Sequence, residues 1–259
     1  MTKRTVFITG GASGIGYGIA ELMVKQGHHV IVADINEKAA QNAAEKLSQL
    51  EGTASAIAVD VCNAEQVAAL PQTLAQSLGA HTVDVLINNA GIQHVSRIED
   101  FPAEKWQQLI NIMLVGPALL TQTFLPAMRE QNFGRIINVG SIHSVVASPF
   151  KSAYVAAKHG LLGFAKTIAL ETGDCDVTIN TLCPAYVKTP LVEQQIAAQA
   201  KENNLTEEDV ITKIMLEPMP KKQFISVEEL AETAAFLMSP SARNITGQTL
   251  ILDGGWTAR

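Results

Sequence analysis

Short apolar runs rich in β-branched residues alternate along the chain with longer stretches in which apolar positions recur at helical spacing. Residues 5–9 (TVFIT) form the first such run and residues 28–34 (HHVIVAD) the second, and between them Ile19, Leu22 and Met23 mark one face of a helix. Unbroken apolarity over so few residues is what a strand buried on both faces requires. The same rhythm predicts strands at 54–59, 83–87, 135–140, 176–182 and 248–252. Helices are predicted at 36–50, 64–78 and 104–128, through Tyr154 and Lys158 to about 170, and at 226–237, the last opened by a Ser226–Glu229 capping box. Strand and helix in strict turn describe an α/β fold, a doubly wound Rossmann-type parallel sheet of about seven strands.

Proline and glycine punctuate this pattern. Pro71 predicts a kink or break in the third helix, and Gly116–Pro117 a bend in the long one, because proline lacks the N–H that a helical carbonyl needs. Residues 184–219 depart from the rhythm, with Thr189-Pro190, an amphipathic stretch from Leu191, and a charged helix from Thr206 to Ile214. An insertion there predicts a helical substrate lid at roughly 190–215. Without a repeat, low-complexity tract or linker, residues 1–259 read as a single domain.

Composition narrows the function. With 47% hydrophobic residues, 259 residues can bury a substantial core. A net charge of −6 offers no attraction to nucleic-acid phosphates or anionic membranes. Cys62, Cys175 and Cys183 form neither a CxxC pair nor a zinc spacing, so they read as reduced thiols of a cytoplasmic protein with no metal. Met1-Thr-Lys-Arg leads directly into the first strand rather than into an apolar leader. The most apolar stretch, 110–120, is interrupted by Asn111, Gly116 and Pro117 and reads as too short to span a bilayer.

The chemistry gathers at predicted strand ends. After the first strand come Gly10, Gly11, Ala12, Ser13, Gly14, Ile15 and Gly16, where glycines let backbone approach a pyrophosphate that the helix N-terminus attracts. Asp34 ends the second strand about 20 residues on, where a carboxylate accepts hydrogen bonds from an adenosine ribose. No Lys or Arg stands beside it to pair with a ribose phosphate, which favours NAD over NADP. Asp60 and Val61 either border an adenine or lead into the helix at Asn63. Asn88 and Asn89 either tie neighbouring turns together or face the cofactor. Asn111, on an apolar run, is either a satisfied core amide or a functional one.

Tyr154 and Lys158 stand four apart on an Ala-rich helix and share a face. An ammonium beside a phenol favours the phenolate, so the pair is able to exchange a proton with an alcohol. Ser141, one short loop earlier, is placed to hold the same oxygen. Taken singly, each of these features also has a plain structural explanation.

In order along the chain, Thr9-Gly10-Gly-Ala-Ser-Gly14-Ile-Gly16, Asn88-Asn-Ala-Gly91, Asn111, Ser141, Tyr154-x-x-x-Lys158 and Asp253-Gly-Gly resemble the short-chain dehydrogenase/reductase family over essentially the whole length. The resemblance implies a nicotinamide cofactor and a homotetramer. It implies that Tyr154 is the acid/base, that Lys158 lowers its pKa and holds the nicotinamide ribose, and that Ser141 orients the substrate oxygen. Asn111 would support a water linking Lys158 to solvent. Pro184, Val187 and Thr189 would border the nicotinamide. Ala185 stands where the family commonly has glycine.

Gly91-Ile-Gln93-His94, Ser141-Ile-His143-Ser, Pro149-Phe-Lys151-Ser and Leu191-Val-Glu-Gln-Gln195 are similar to the bacterial D-3-hydroxybutyrate dehydrogenase group of that family. In that group the residues matching Gln93, His143, Lys151 and Gln195 bind the substrate carboxylate. Tyr186 replaces a frequent Trp of that group, and Trp256 either reaches a neighbouring subunit or packs at an interface. Three other expectations stay open: another hydroxy acid or a sugar alcohol as substrate, a 3-oxoacyl thioester reductase, and a silent NAD-binding sensor or scaffold.

Overall fold

Seven strands form one parallel sheet: β1 (Thr5–Thr9), β2 (His29–Asp34), β3 (Thr53–Ala58), β4 (Val85–Asn88), β5 (Gly134–Val139), β6 (Val177–Pro184) and β7 (Thr249–Leu252). Their order is β3-β2-β1-β4-β5-β6-β7. The chain winds outward from β1 to β3, then returns to β4 on the other side of β1. At that reversal the loops leaving the carboxyl ends of β1 and β4 diverge and open a crevice. The computed structural model describes residues 2–80 and 82–258, less the side chains of 190, 191, 194, 198, 202 and 203. Met1, and the side chains of Leu191 and Gln194 in the 191–195 run, therefore lie outside the described residues.

Alternate strand residues face opposite layers, which is why the strands read as continuously apolar. Val6, Ile8, Val30, Val32, Ile87 and Ile137 pack on α1 (Gly14–Lys25), α2 (Glu37–Leu47) and α9 (Val227–Met238). Phe7, Ile31, Leu86, Ile136 and Ile179 pack on α3 (Ala64–Leu78), α5 (Gly116–Glu130) and α6 (Ser152–Glu171). The expected capping box of Ser226 and Glu229 is present at the head of α9.

One proline expectation is corrected: the helix does not break at Pro71. α3 runs unbroken through Pro71, because Val67, Leu70 and Leu74 anchor it on the sheet and outweigh one missing hydrogen bond. Before Pro117, α4 (Ala103–Ile110) passes into a π-helical segment, Asn111–Val115, that joins it to α5. Pro117 thus falls just after the π-helical segment, where the backbone already departs from the regular α-helical hydrogen-bond pattern. The segment 110–120 is not interrupted: Ala103–Glu130 is one helical run of 28 residues, long and apolar enough by composition to cross a membrane. Leu109, Met113, Leu120, Phe124 and Met128 are nevertheless buried inside the protein, as in a core helix.

The insertion after β6 holds α7 (Pro190–Asn203), a single turn α8 (Glu207–Asp209) and a second π-helical segment, Val210–Met215, where a plain helix was expected. Ile196, Ala200, Val210 and Met215 form an apolar nucleus of their own, separate from both sheet layers.

Candidate active site

A cavity of ≈ 450 Å³ follows the carboxyl edge of the sheet from β2 to the underside of α7. At its β2 end it is lined by Gly10, Ser13, Gly14, Ile15, Asp34, Asp60 and Val61. Gly10 and Gly14 have φ of +60° and +55°, the left-handed region that glycine enters without strain. Ser13 is the N-cap of α1, but its side chain caps nothing. The first-turn N–H groups, backed by the positive end of the helix dipole, are left for an anion. Among the described residues the Asp34 carboxylate accepts the N–H of Asn36 at 3.0 Å through one oxygen, which leaves the second to a ligand hydroxyl. Asp60 is both structural and exposed to the cavity: it accepts from the N–H of Cys62 at 2.9 Å.

The middle of the cavity is lined by Ser141, Tyr154 and Lys158. Lys158 is 4% exposed, and its Nζ donates to the carbonyl of Val139 at 2.6 Å. Burial without a carboxylate partner pushes its pKa down to about 8. Tyr154 lies with its ring centroid 5.7 Å from that Nζ. Its pKa is raised by burial, with the Ser141 hydrogen bond pulling the other way. The expectation that Lys158 lowers it is corrected for the free site: the ammonium is turned to Val139, and desolvation of the phenolate wins.

Ser141 is held tightly. Its Oγ accepts the N–H of His143 at 3.1 Å and lies 3.4 Å from His143 Nδ1. His143 Nε2 is 2.7 Å from Ser148 Oγ. Both ring nitrogens of His143 thus face serines, so this residue lines the cavity mainly as a brace for Ser141. Burial, then Lys151, pushes its pKa down to about 4, and the ring is neutral at pH 7.

Beyond His143, Gln93, Lys151 and Gln195 line the far end of the cavity, converging from two loops and α7. Lys151 is half-buried and has no carboxylate partner among the described residues. Burial lowers its pKa. Phe150, just before it, has φ of +66°, and its carbonyl accepts the N–H of Ser96 at 2.9 Å. That bond ties the Lys151 loop to the Gln93 loop.

Pro184, Val187 and Thr189 also line the cavity, whereas Gly16, Asn88 and Asn111 do not. A Cβ on Gly16 would sit 2.4 Å from the carbonyl of Gly10, so this glycine serves close packing behind the turn. Asn88 is a strand tie: it is 4% exposed and donates to Asn138 at 2.9 Å. Asn89, which does line the cavity, clamps the carbonyls of Thr9 and Gly10 at 3.0 and 3.1 Å. Asn111 begins the π-helical segment and accepts from Gln107 at 3.1 Å. Ala185 has no positive φ, so the turn does not need glycine. Trp256 packs within its own chain, 6.2 Å from Tyr186 and 6.4 Å from His143 between ring centroids. Ser148 escaped notice in the sequence, where nothing distinguishes it from other loop serines.

A family model described as enoyl-(acyl carrier protein) reductase matches residues 10–257. The chain is 42% identical over 261 residues to a D-beta-hydroxybutyrate dehydrogenase of Rhizobium meliloti (strain 1021), covering 100% of both chains. It is 41% identical over 259 residues to the uncharacterized oxidoreductase YxjF of Bacillus subtilis (strain 168), again covering 100% of both. To the 3-oxoacyl-(acyl-carrier-protein) reductase FabG of Chlamydia trachomatis serovar D it is 33% identical over 256 residues, 98% of each chain. The chain belongs to the short-chain dehydrogenase/reductase family.

Proposed function

We propose that this oxidoreductase interconverts D-3-hydroxybutyrate and acetoacetate with NAD, as a cytoplasmic homotetramer. The observation that carries the substrate class is Lys151: a half-buried ammonium without an acidic partner, in the same cavity as Ser141, Tyr154 and Lys158. A desolvated cation of that kind is stabilised by an anionic ligand, and Gln93 and Gln195 add neutral donors to hold a carboxylate. The relatives named D-beta-hydroxybutyrate dehydrogenase support the same choice.

The residues present fit a dinucleotide. Gly10, Ser13, Gly14 and Ile15 would take the pyrophosphate, Asp34 the adenosine ribose, and Asp60 with Val61 the adenine. Tyr154 and Lys158 would meet the second ribose, and Pro184, Val187 and Thr189 the nicotinamide. Asp34 repels a 2′-phosphate, and among the described residues the Lys and Arg side chains lining the cavity are Lys158 in its middle and Lys151 at its far end, neither beside Asp34, which favours NAD. Once bound, the nicotinamide supplies the hydride acceptor.

The protein's own part is position and charge. Ser141, braced by His143, hydrogen-bonds the C3 oxygen, and Tyr154 takes its proton. Because burial raises the Tyr154 pKa, the phenolate needs positive charge during turnover. Lys158, 5.7 Å from the ring, provides part of it. α7, bearing Val192 and Gln195, closes the carboxylate end and keeps water out.

Initial rates test the reading, using NAD and NADP with D- and L-3-hydroxybutyrate, the methyl ester of the D-acid, and sugar alcohols. Turnover of the D-acid with NAD, lost on the L-acid and the ester, is expected. Preference for the ester, a polyol or NADP would discard the substrate or cofactor assignment.

A further inference from the structure

Lys151 stands at the N-cap of α6, a place where Ser, Thr, Asp or Asn is favoured because a side-chain oxygen there accepts the exposed N–H groups of the first turn. An ammonium accepts nothing, and its side chain makes no capping bond. No acidic residue in the first turn offsets the positive end of this 20-residue helix. The helix therefore repels the charge that its own cap carries. A cation so placed is drawn toward open water, and holding it over the cavity falls to the surrounding backbone.

That backbone is pinned on both sides of Lys151. The residue itself has φ of −120° and ψ of 33°, outside the helical and extended regions. Its carbonyl accepts the N–H of Val155 at 2.9 Å, the first bond of the helix. On the loop side, the bond from Ser96 to the Phe150 carbonyl fixes the preceding residue. On the helix side, the Oγ of Ser152 accepts the indole N–H of Trp106 at 3.3 Å. Trp106 belongs to α4, 46 residues away in sequence. Its ring packs in one apolar cluster with Ala153, Ala157 and Tyr154 of α6 and with Leu109 and Met113. Packing accounts for the ring, and a phenyl group would serve it. The N–H is what ties α4 to the residue next to Lys151.

We propose that Trp106 is a positioning residue for substrate recognition: through Ser152 it fixes the first turn of α6 and so keeps Lys151 aimed into the cavity. This rests on the reading of Lys151 as the partner of the substrate carboxylate and deepens it. Trp106 touches neither the substrate nor the reacting atoms. The long stem of Lys151 still reaches the carboxylate when the pin is lost, so the effect is smaller than that of removing Lys151.

The test pairs Ser152→Ala, which removes the acceptor with a residue suited to a helix, with Trp106→Phe, which removes the donor and keeps an aromatic ring. Each should raise KM for D-3-hydroxybutyrate about three- to tenfold, the scale of one neutral hydrogen bond, with kcat and NAD affinity within about twofold. Because the two variants break one bond, combining them should do no more than the larger single change. In a Lys151→Ala background, Ser152→Ala should alter KM by less than about twofold, since the bond acts through Lys151. An unchanged KM, a loss confined to kcat, or a Ser152→Ala effect of full size without Lys151 overturns the proposal. Should Lys151→Ala itself leave KM unaltered, the carboxylate reading fails and the proposal falls with it; a large Lys151→Ala effect beside a silent Ser152→Ala sinks the proposal alone.

Discussion

The two ends of the cavity are built from different material. At the β2 end the ligand-facing groups are largely backbone, the glycine turn after β1 held by Asn89 and the uncapped N-terminus of α1, with the Asp34 and Asp60 carboxylates beside them. At the other end they are side chains, Gln93, Lys151, Tyr186 and Gln195, delivered by loops and by α7. The first end holds a shape, whereas the second holds a charge and a set of donors. A fold of this kind keeps one end constant while the other is rewritten by single substitutions.

Substitutions at each end should therefore fail differently. Tyr154→Phe, between the two, should reduce kcat by about 10³-fold or more while leaving NAD affinity within a few-fold, measured by turnover and by fluorescence titration. Comparable turnover would remove Tyr154 from proton transfer. Lys151→Ala should raise KM for the D-acid about 10- to 100-fold with little change for its methyl ester. Equal effects on acid and ester would mean that Lys151 shapes the loop rather than holding the carboxylate.

Gly16→Ala should instead damage the frame, because the new methyl meets the Gly10 carbonyl at 2.4 Å and Asn89 Nδ2 at 2.5 Å. Overpacking of this order costs about 1–3 kcal/mol, a fall in Tm of about 3–10 °C, with weakened NAD binding. An unchanged Tm would show that the turn yields. The remaining effect concerns pH. With His143 held at about 4 in the folded chain against an ordinary 6.5, the unfolded chain binds more protons between those values. Stability then declines as pH falls from 6.5 toward 4, by up to about 3 kcal/mol. His143→Gln should flatten that part of the Tm–pH curve; an unaltered slope would assign it to other groups.

The same contrast explains what was legible in the sequence. Strand, glycine turn, helix and terminal Asp34 are local signals with a fixed period, so the β1-α1-β2 unit could be read directly. The Tyr154–Lys158 pair was visible because helical spacing alone places both on one face. Less was legible where partners come from distant elements. Asn88 looked like Asn89, and only the pairing of β4 with β5 shows that one binds Asn138 while the other clamps the glycine turn. The π-helical segments at 111–115 and 210–215 arise from packing and have no periodic signature. The Tyr154 pKa depends on burial against the reach of Lys158, and a sequence reports neither quantity.

One short connection has a consequence for how such chains change in length. Lys158 is tethered to the carbonyl of Val139, and Ser141 stands two positions further along the same chain. Between them Gly140 leaves no spare room: a Cβ there would lie 2.8 Å from both Cys183 Sγ and Thr181 Cγ2. The spacing of ammonium and hydroxyl is thus counted in residues. A single insertion or deletion at 139–141 would put the count out of step, whereas the helical insertion after β6, with its own apolar nucleus, is able to lengthen or shorten without disturbing it.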